Sequence, residues 1–353
     1  MIDIKSYNKE ELREYLLTLG EKKFRSDQLY DWMHVKLAGS FDEMTNLSKT
    51  LRERLKAECD YTKLEIVRLQ ESKTDGTKKF LFKLADANLI ESVLMPYEHG
   101  YSVCISSQVG CRMGCRFCAS TLDGLSRNLA VSEMLEQVYE ISRHLRSFDA
   151  NGRVHNIVMM GCGEPLDNYE NAVKFVRMIS DENGLHISQR NLTMSTCGLA
   201  DRIRDLAKEQ LQITLALSLH ATTDENRRQL MPIANKYSIA ELMAALDDYF
   251  DETGRRLTFE YSLVSGVNDT PEDAKRLAGL AGPRNCHVNL IPVNPIKERD
   301  YKRPDRSYVL AFKNKLEKYH INVTIRREMG ADIDGACGQL RKRQMDESGQ
   351  FSG

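Results

Sequence analysis

Residues 101–118 read Tyr-Ser-Val-Cys-Ile-Ser-Ser-Gln-Val-Gly-Cys-Arg-Met-Gly-Cys-Arg-Phe-Cys. An apolar run at 103–106 predicts a strand that delivers the chain into a loop carrying Cys111, Cys115 and Cys118. Three thiolates within eight residues can hold three corners of an iron–sulfur cube and leave the fourth iron without a protein ligand. A structural metal site is normally closed by four protein ligands, whereas a site meant for chemistry keeps one position open. On spacing alone, a zinc knuckle with a distant fourth ligand is the alternative.

Downstream of this loop the rhythm is strand, loop, helix, repeated. Apolar runs at 156–160, 192–195, 213–219, 257–264, 288–291 and 322–326 predict further strands, and amphipathic segments such as 132–145 and 239–249 fall between most of them. Alternating β and α units imply a parallel sheet with right-handed crossovers. Six or more units without a phosphate fingerprint after the first strand predict an α/β fold, a partial (β/α)6 TIM-like barrel.

Upstream, the first sixty residues read as short helices. Asn8 and Glu11 form a capping box, and Leu12, Tyr15, Leu16 and Leu19 follow at helical spacing until Gly20. Leu29, Trp32 and Met33 mark a second helix, and Leu51 and Leu55 a third that starts near Ser48. From 63 to 83 the period becomes two, with a turn at Asp75-Gly76. Phe80, Phe82 and Leu84 alternate with Lys79, Leu81 and Lys83, and the stretch is basic, as suits either a phosphate-facing ribbon or a solvated hairpin. The expected organisation is a helical accessory domain (1–60), a β-hairpin linker region (61–96), a barrel core (97–340) and a polar tail (341–353).

With 353 residues, 41% hydrophobic and 29% charged, the composition is that of an ordinary soluble globular chain. No stretch approaches the roughly 18 apolar residues of a membrane span, and the N-terminus lacks a signal-peptide layout. Nine cysteines in a chain of cytosolic character point to metal or thiol chemistry rather than a disulfide framework. A formal net charge of −1 leaves any RNA binding to local basic patches. Nothing suggests an obligate oligomer, so a cytoplasmic monomer is expected.

The unusual residues collect at predicted strand ends, where barrels place their chemistry. Gly161-Cys162-Gly163-Glu164-Pro165 follows the second strand, Ser195 closes the third, Ser218-Leu219-His220 closes the fourth, and Asn294 follows a later one. Cys337 sits in a small-residue, glycine-rich loop after the last strand, an unobstructed setting for a thiol. Cys104 lies on the first strand, where a core-packed cysteine is the plain reading. Cys59, Cys162, Cys197 and Cys286 read as structural.

The spacing of Cys111, Cys115 and Cys118 resembles the signature of radical S-adenosylmethionine enzymes, whose [4Fe–4S] cluster binds S-adenosylmethionine at its open iron. An ammonium group would suit Glu164, and ribose and carboxylate would suit the neutral Ser195, Ser218, His220 and Asn294. Across about 7–340 the chain resembles the RlmN family of RNA methyltransferases. Motifs carrying the likeness include Ser-Ser-Gln-Val-Gly-Cys at 106–111, Gly-Glu-Pro-Leu at 163–166, Leu-Ser-Leu-His at 217–220 and Asp-Ile-Asp-Gly-Ala-Cys-Gly-Gln-Leu at 332–340.

That resemblance implies methylation of carbon 2 of an adenine in 23S rRNA, at the peptidyl transferase centre, and in transfer RNA beside the anticodon. It implies two S-adenosylmethionine molecules per turnover. Cys337 would take a methyl group from the first, and a 5′-deoxyadenosyl radical from the second would remove hydrogen from it, letting the resulting carbon radical join the adenine. Glu91 would accept the carbon-2 proton, and Cys104 would release the base through a transient disulfide with Cys337. Outside electrons, from a flavodoxin-type or thiol donor, would then reduce the disulfide. Read from sequence alone, Glu91 is an exposed strand carboxylate. Position 162 is Cys where the family usually has Met, and position 197 is Cys where Ser is common. Rival readings are a Cfr-type carbon-8 adenine methyltransferase, a non-catalytic zinc-stapled RNA-binding protein, and a radical enzyme acting on proteins or metabolites.

Overall fold

The computed structural model describes residues 1–294 and 301–333. Cys337 and the polar tail, including the 332–340 motif beyond Ile333, lie outside the described residues. The chain opens with β1 (Ile2–Asp3), α1 (Lys9–Thr18), α2 (Phe24–His34), α3 (Lys49–Glu58) and β2 (Cys59–Asp60). Asn8 and Glu11 form the expected capping box on α1, and the Ser48 hydroxyl accepts from Leu51 N–H to start α3. Leu12, Leu16, Leu29, Met33, Leu51 and Leu55 close a small core of their own.

Next come three antiparallel strands, β3 (Glu65–Glu71), β4 (Lys78–Lys83) and β5 (Leu89–Tyr97), and then β6 (Gly100–Cys104). The short ribbon of β7 (Gln108–Gly110) and β8 (Leu125–Asn128) flanks the three-cysteine loop. The barrel proper continues through α4 (Val131–Arg146), β9 (Val154–Met159), α5 (Tyr169–Ile179), β10 (Leu192–Thr196), α6 (Ala200–Lys208) and β11 (Thr214–Ser218). It ends with α7 (Asp224–Leu230), α8 (Ile239–Thr253), β12 (Leu257–Leu263), α9 (Pro271–Ala281), β13 (Cys286–Pro292), α10 (Arg306–Lys318) and β14 (Val323–Ile325).

One sheet runs in the order β14-β13-β12-β11-β10-β9-β6-β5-β4-β3. Its strands from β6 to β14 are parallel, and helical crossovers join them, as the sequence rhythm predicts. The stretch read as a linker hairpin is different. A third strand, β5, joins it and pairs with β6, so the ribbon extends the barrel sheet. Its alternation also fails on β4, where Lys79, Phe80, Leu81 and Phe82 are all fully buried. Both faces of β4 are covered, so the polar face expected from period two is absent there.

The parallel strands have two faces of opposite character. Val103, Ile157, Met159, Leu192, Met194, Leu215, Leu217, Phe259 and Leu290 turn outward into the helix-covered core. The alternate row, on the other face, carries Ser102, Asn156, Thr193, Ser195, Ser218, Glu260 and Asn289, because successive strand side chains point to opposite faces. Registers align Ser195 with Ala216, Ser218 with Glu260, Glu260 with Asn289, and Asn289 with Thr324. A lumen lined this way can hold polar ligands.

The N-terminal helices sit on α4. Lys5 and Glu136 form an ion pair in which both side chains are almost wholly buried, and the Lys5 ammonium lies 3.7 Å from the Tyr61 ring centre. Ser132 N–H donates to Ser6 Oγ at 2.9 Å, and His34 Nδ1 is 2.7 Å from the Tyr139 hydroxyl. Buried charge pairs with excellent geometry fix orientation more than they add stability.

Candidate active site

The three cysteines expected to hold a cluster, Cys111, Cys115 and Cys118, occupy the loop between β7 and β8, and main-chain bonds hold it. Cys111 N–H donates to Gly124 C=O at 2.8 Å, Cys118 N–H to Cys115 C=O at 3.1 Å, and Arg116 N–H to Leu230 C=O at 2.9 Å. Gly110 has φ +77°, and a Cβ there would lie 2.0 Å from Gly124 C=O, so only glycine allows the loop to close. Cys111 and Cys115 are buried, Cys118 is half-buried, and Met113, Phe117, Ala221, Leu230 and Met231 pack around them. Burial pushes the Cys111 thiol up to about 12 and the Cys115 thiol well above its usual value, with the neighbouring thiols adding to both. Binding iron to such thiols must displace protons.

Cys197 joins this group, within electrostatic reach of Cys111 and Cys115. The sequence reads it as a structural cysteine, and the fold places it beside Cys111 and Cys115. Among the described residues, no three His, Cys, Asp or Glu groups converge tightly enough for a single metal ion. The thiols share one apolar-walled space instead, which suits a cluster whose ligands sit on separate irons.

The strand ends bring the other expected cofactor residues beside this loop. Gly163 has φ +110°, and a Cβ would meet Gln108 at 2.6 Å. Gln108 Oε1 accepts from Glu164 N–H at 2.8 Å while its Nε2 donates to Asn128 and Asp167, so one side chain ties the β7–β8 ribbon to the Gly-Glu-Pro turn. Glu164 is buried, and its carboxylate accepts from Cys197 N–H at 2.7 Å and Leu166 N–H at 3.1 Å. Burial raises its pKa, and these donors oppose the rise.

Ser195 Oγ and Ser218 Oγ lie 3.4 Å apart across β10 and β11. Leu219 is fully buried and offers backbone groups only. His220 adopts φ +54°, and its Nδ1 accepts from Ser262 N–H at 2.9 Å, which leaves the ring proton on Nε2. Burial, aided by the Arg227 charge, pulls its pKa down to about 3, so the imidazole is neutral.

Cys104, Glu91 and Asn294 come together elsewhere on the rim. They line a cavity of about 430 Å³ with Met160, Gly161, Arg326 and Gly330. Glu91 is 3% exposed, and its Oε2 lies 3.0 Å from Lys79 Nζ, itself fully buried. The expectation of an exposed Glu91 is therefore corrected, and Lys79 is no phosphate-facing surface charge. Burial raises the Cys104 pKa, and Arg326, Met160 N–H and Lys79 work against it.

The segment leading toward Cys337 is anchored over this cavity. Asp332 accepts from Ser72 Oγ at 2.5 Å and from Lys73 N–H at 2.9 Å, and Gly330 N–H donates to Asp75 at 2.9 Å. The Asp75-Gly76 turn, a hairpin signal in the sequence, thus lies against residues 330–332.

Comparison with known proteins agrees with this arrangement. The family model described as Ribosomal RNA large subunit methyltransferase N-terminal domain matches residues 2–60, and that of the Radical SAM superfamily matches 105–278. A protein of Lachnospira eligens named probable dual-specificity RNA methyltransferase RlmN is 61% identical over 100% of this chain and 99% of its own length. One of the same name from Lachnoclostridium phytofermentans is 59% identical over 98% of this chain and 96% of its own. The chain belongs to the RlmN family of radical S-adenosylmethionine RNA methyltransferases.

A crystal structure of a radical SAM methyltransferase from Sphaerobacter thermophilus matches with a TM-score of 0.92 and 42% identity, covering 96% of this chain and 99% of that one. As an RlmN-family enzyme, the protein uses a [4Fe–4S] cluster and S-adenosylmethionine. The donor set fits: three thiols in a loop with apolar walls, Glu164 and His220 beside it, and the paired hydroxyls of Ser195 and Ser218 at the neighbouring strand ends. Sequence reasoning passed over Gln108, Lys79 and Arg227. Each is an ordinary polar residue whose role depends on a partner far along the chain. No described helix is long and apolar enough to cross a membrane.

Proposed function

We propose that the protein methylates carbon 2 of adenine in 23S rRNA at the peptidyl transferase centre and in transfer RNA beside the anticodon. The reading rests chiefly on one observation. Cys104 and Glu91 share a cavity whose wall includes residues 326–331 and Ile333, which stands four residues before Cys337 in the sequence. Cys111, Cys115 and Cys118 would hold the cluster, and Gly163, Glu164, Ser195, Ser218, Leu219, His220 and Asn294 would seat S-adenosylmethionine. When bound, that pair supplies a radical able to remove a hydrogen atom from a methylated thiol.

The chain's own residues do the rest. Cys337 carries the methyl carbon, which would bond as a radical to carbon 2 of the adenine, and the odd electron left on the adduct would return to the cluster. Glu91, oriented by Lys79, takes the proton from carbon 2. Cys104, as its thiolate, then attacks the Cys337 sulfur; the carbon–sulfur pair leaves with the base, which takes up a proton to complete its methyl group, and the disulfide formed is reduced with two electrons by a flavodoxin-type or thiol donor. Reaching carbon 2 requires an unpaired or flipped adenine, and the helices of residues 1–60 would help dock the RNA. The enzyme would work as a monomer in the cytoplasm, where its substrates are.

Mass spectrometry of nucleosides from unmodified 23S rRNA and transfer RNA, treated with reconstituted enzyme, tests this. The expected product is 2-methyladenosine from both. 8-Methyladenosine, or no methyladenosine from protein with an intact reducible cluster, would overturn it.

A further inference from the structure

Arg227, on α7, is fully buried. Its Nη2 donates to Cys197 C=O at 2.6 Å and to Ser218 C=O at 3.4 Å, and its Nε to Leu219 C=O at 3.3 Å. The guanidinium thus fastens the loop after β10 to the end of β11. Among the described residues, the remaining nitrogen, Nη1, is buried with no hydrogen-bond partner. An unmet buried donor on a cation is costly, so a fold that keeps one has an acceptor for it in the working state.

The surroundings say what kind of acceptor. Arg227 lies within electrostatic reach of the Cys115 and Cys197 thiols. The same helix carries Leu230, whose carbonyl holds the cluster loop through Arg116 N–H. Among the described residues no carboxylate is hydrogen-bonded to Arg227, and Asp224 is the one within electrostatic reach. Its charge faces the proposed ligands of a cluster that three thiolates make anionic.

We infer that Arg227 is a positioning residue for the iron–sulfur cluster: its buried positive charge favours the one-electron-reduced state, and its free N–H awaits an acceptor on the cluster or its ligands. One electron enters from the external low-potential donor, no bond forms or breaks, and the cluster gains one negative charge. A fixed cation in a medium of low dielectric stabilises that added charge strongly. Guanidinium serves better than ammonium because its planar fork keeps a donor free while clipping three carbonyls.

This inference rests on the ligand set proposed above, and the two fail differently. Wild-type protein that binds no iron–sulfur cluster after anaerobic reconstitution would fail the ligand set. With the cluster loaded, the test is its midpoint potential, read by EPR-monitored redox titration of the full-length protein. Arg227→Gln should lower the reduced-to-oxidised ratio at a fixed potential by tenfold or more, a shift of at least about 59 mV for a one-electron couple. Arg227→Lys should stay within about threefold of wild type. A Gln variant with a normal cluster spectrum and an unchanged potential would overturn the inference. Should the Gln variant fail to hold iron, the Lys variant still decides, since a tenfold drop with the charge retained would refute the electrostatic role.

Discussion

The cluster loop and the cavity around Cys104 share the strand ends of β6 and β9, yet opposite means hold them. Main-chain hydrogen bonds and a glycine close the loop, within its own segment except for the bond from Arg116 N–H to Leu230 C=O. Side chains from distant elements build the cavity. Lys79 meets Glu91 across β4 and β5, and Asp332 reaches Ser72 over 260 residues. A locally held site keeps its geometry wherever its segment folds. A site assembled by long-range contacts exists only when the whole sheet has formed.

The largest test of this contrast compares one cysteine from each region. Cys115→Ala should remove the iron along with all methylation, read by metal analysis and nucleoside mass spectrometry. Cys104→Ala should keep iron and cluster spectrum yet stall after the RNA bond forms, leaving an RNA–protein adduct on denaturing gels. Loss of the cluster from the Cys104 variant would break the separation of the two regions.

Next in size is the buried pair. Lys79→Met strands the Glu91 carboxylate and should destabilise the protein by about 3–5 kcal/mol in denaturant titration. The double variant Lys79→Met, Glu91→Gln should recover much of that, because no buried charge is left uncompensated. In the loop, Gly110→Ala should cost about 1–3 kcal/mol through backbone strain, accompanied by poorer iron retention. An alanine there that binds iron as well as wild type would show that the loop closes by other means.

At neutral pH the smallest effect concerns the N-terminal helices, since it grows only as pH falls. Burial and the Lys5 charge pull the His34 pKa from 6.5 down to about 3. The unfolded chain therefore binds a proton between these values that the folded chain refuses. The stability due to neutral His34 is present above pH 6.5 and declines as pH falls toward 3, by at most about 1.4 kcal/mol per unit. His34→Gln should flatten the stability profile in that window by this slope, measured by thermal melting against pH. A profile unchanged by the substitution would remove His34 as the cause.

Much of the site was legible because its marks are local. The spacing of Cys111, Cys115 and Cys118, the Asn8–Glu11 capping box and the strand–helix rhythm all depend on neighbours within a few residues. Cys104 and Glu91 were reachable only through the family resemblance. Period-two alternation gave Lys79 a solvent-facing place, and burial of both faces of β4 reversed it. Gln108 and Arg227 carry no local signal at all, since their partners are set by registers and turns elsewhere.

The sequence by itself determined the parallel α/β architecture and the three-thiol loop, because hydrophobic periodicity and ligand spacing are properties of short segments. Tertiary structure alone decided that Glu91 is buried against Lys79, that Cys197 stands beside the cluster ligands, and that Arg227 is left with an unmet donor. Burial and pairing of charge depend on which distant segments the sheet brings together, and desolvation has no counterpart in an isolated stretch of chain.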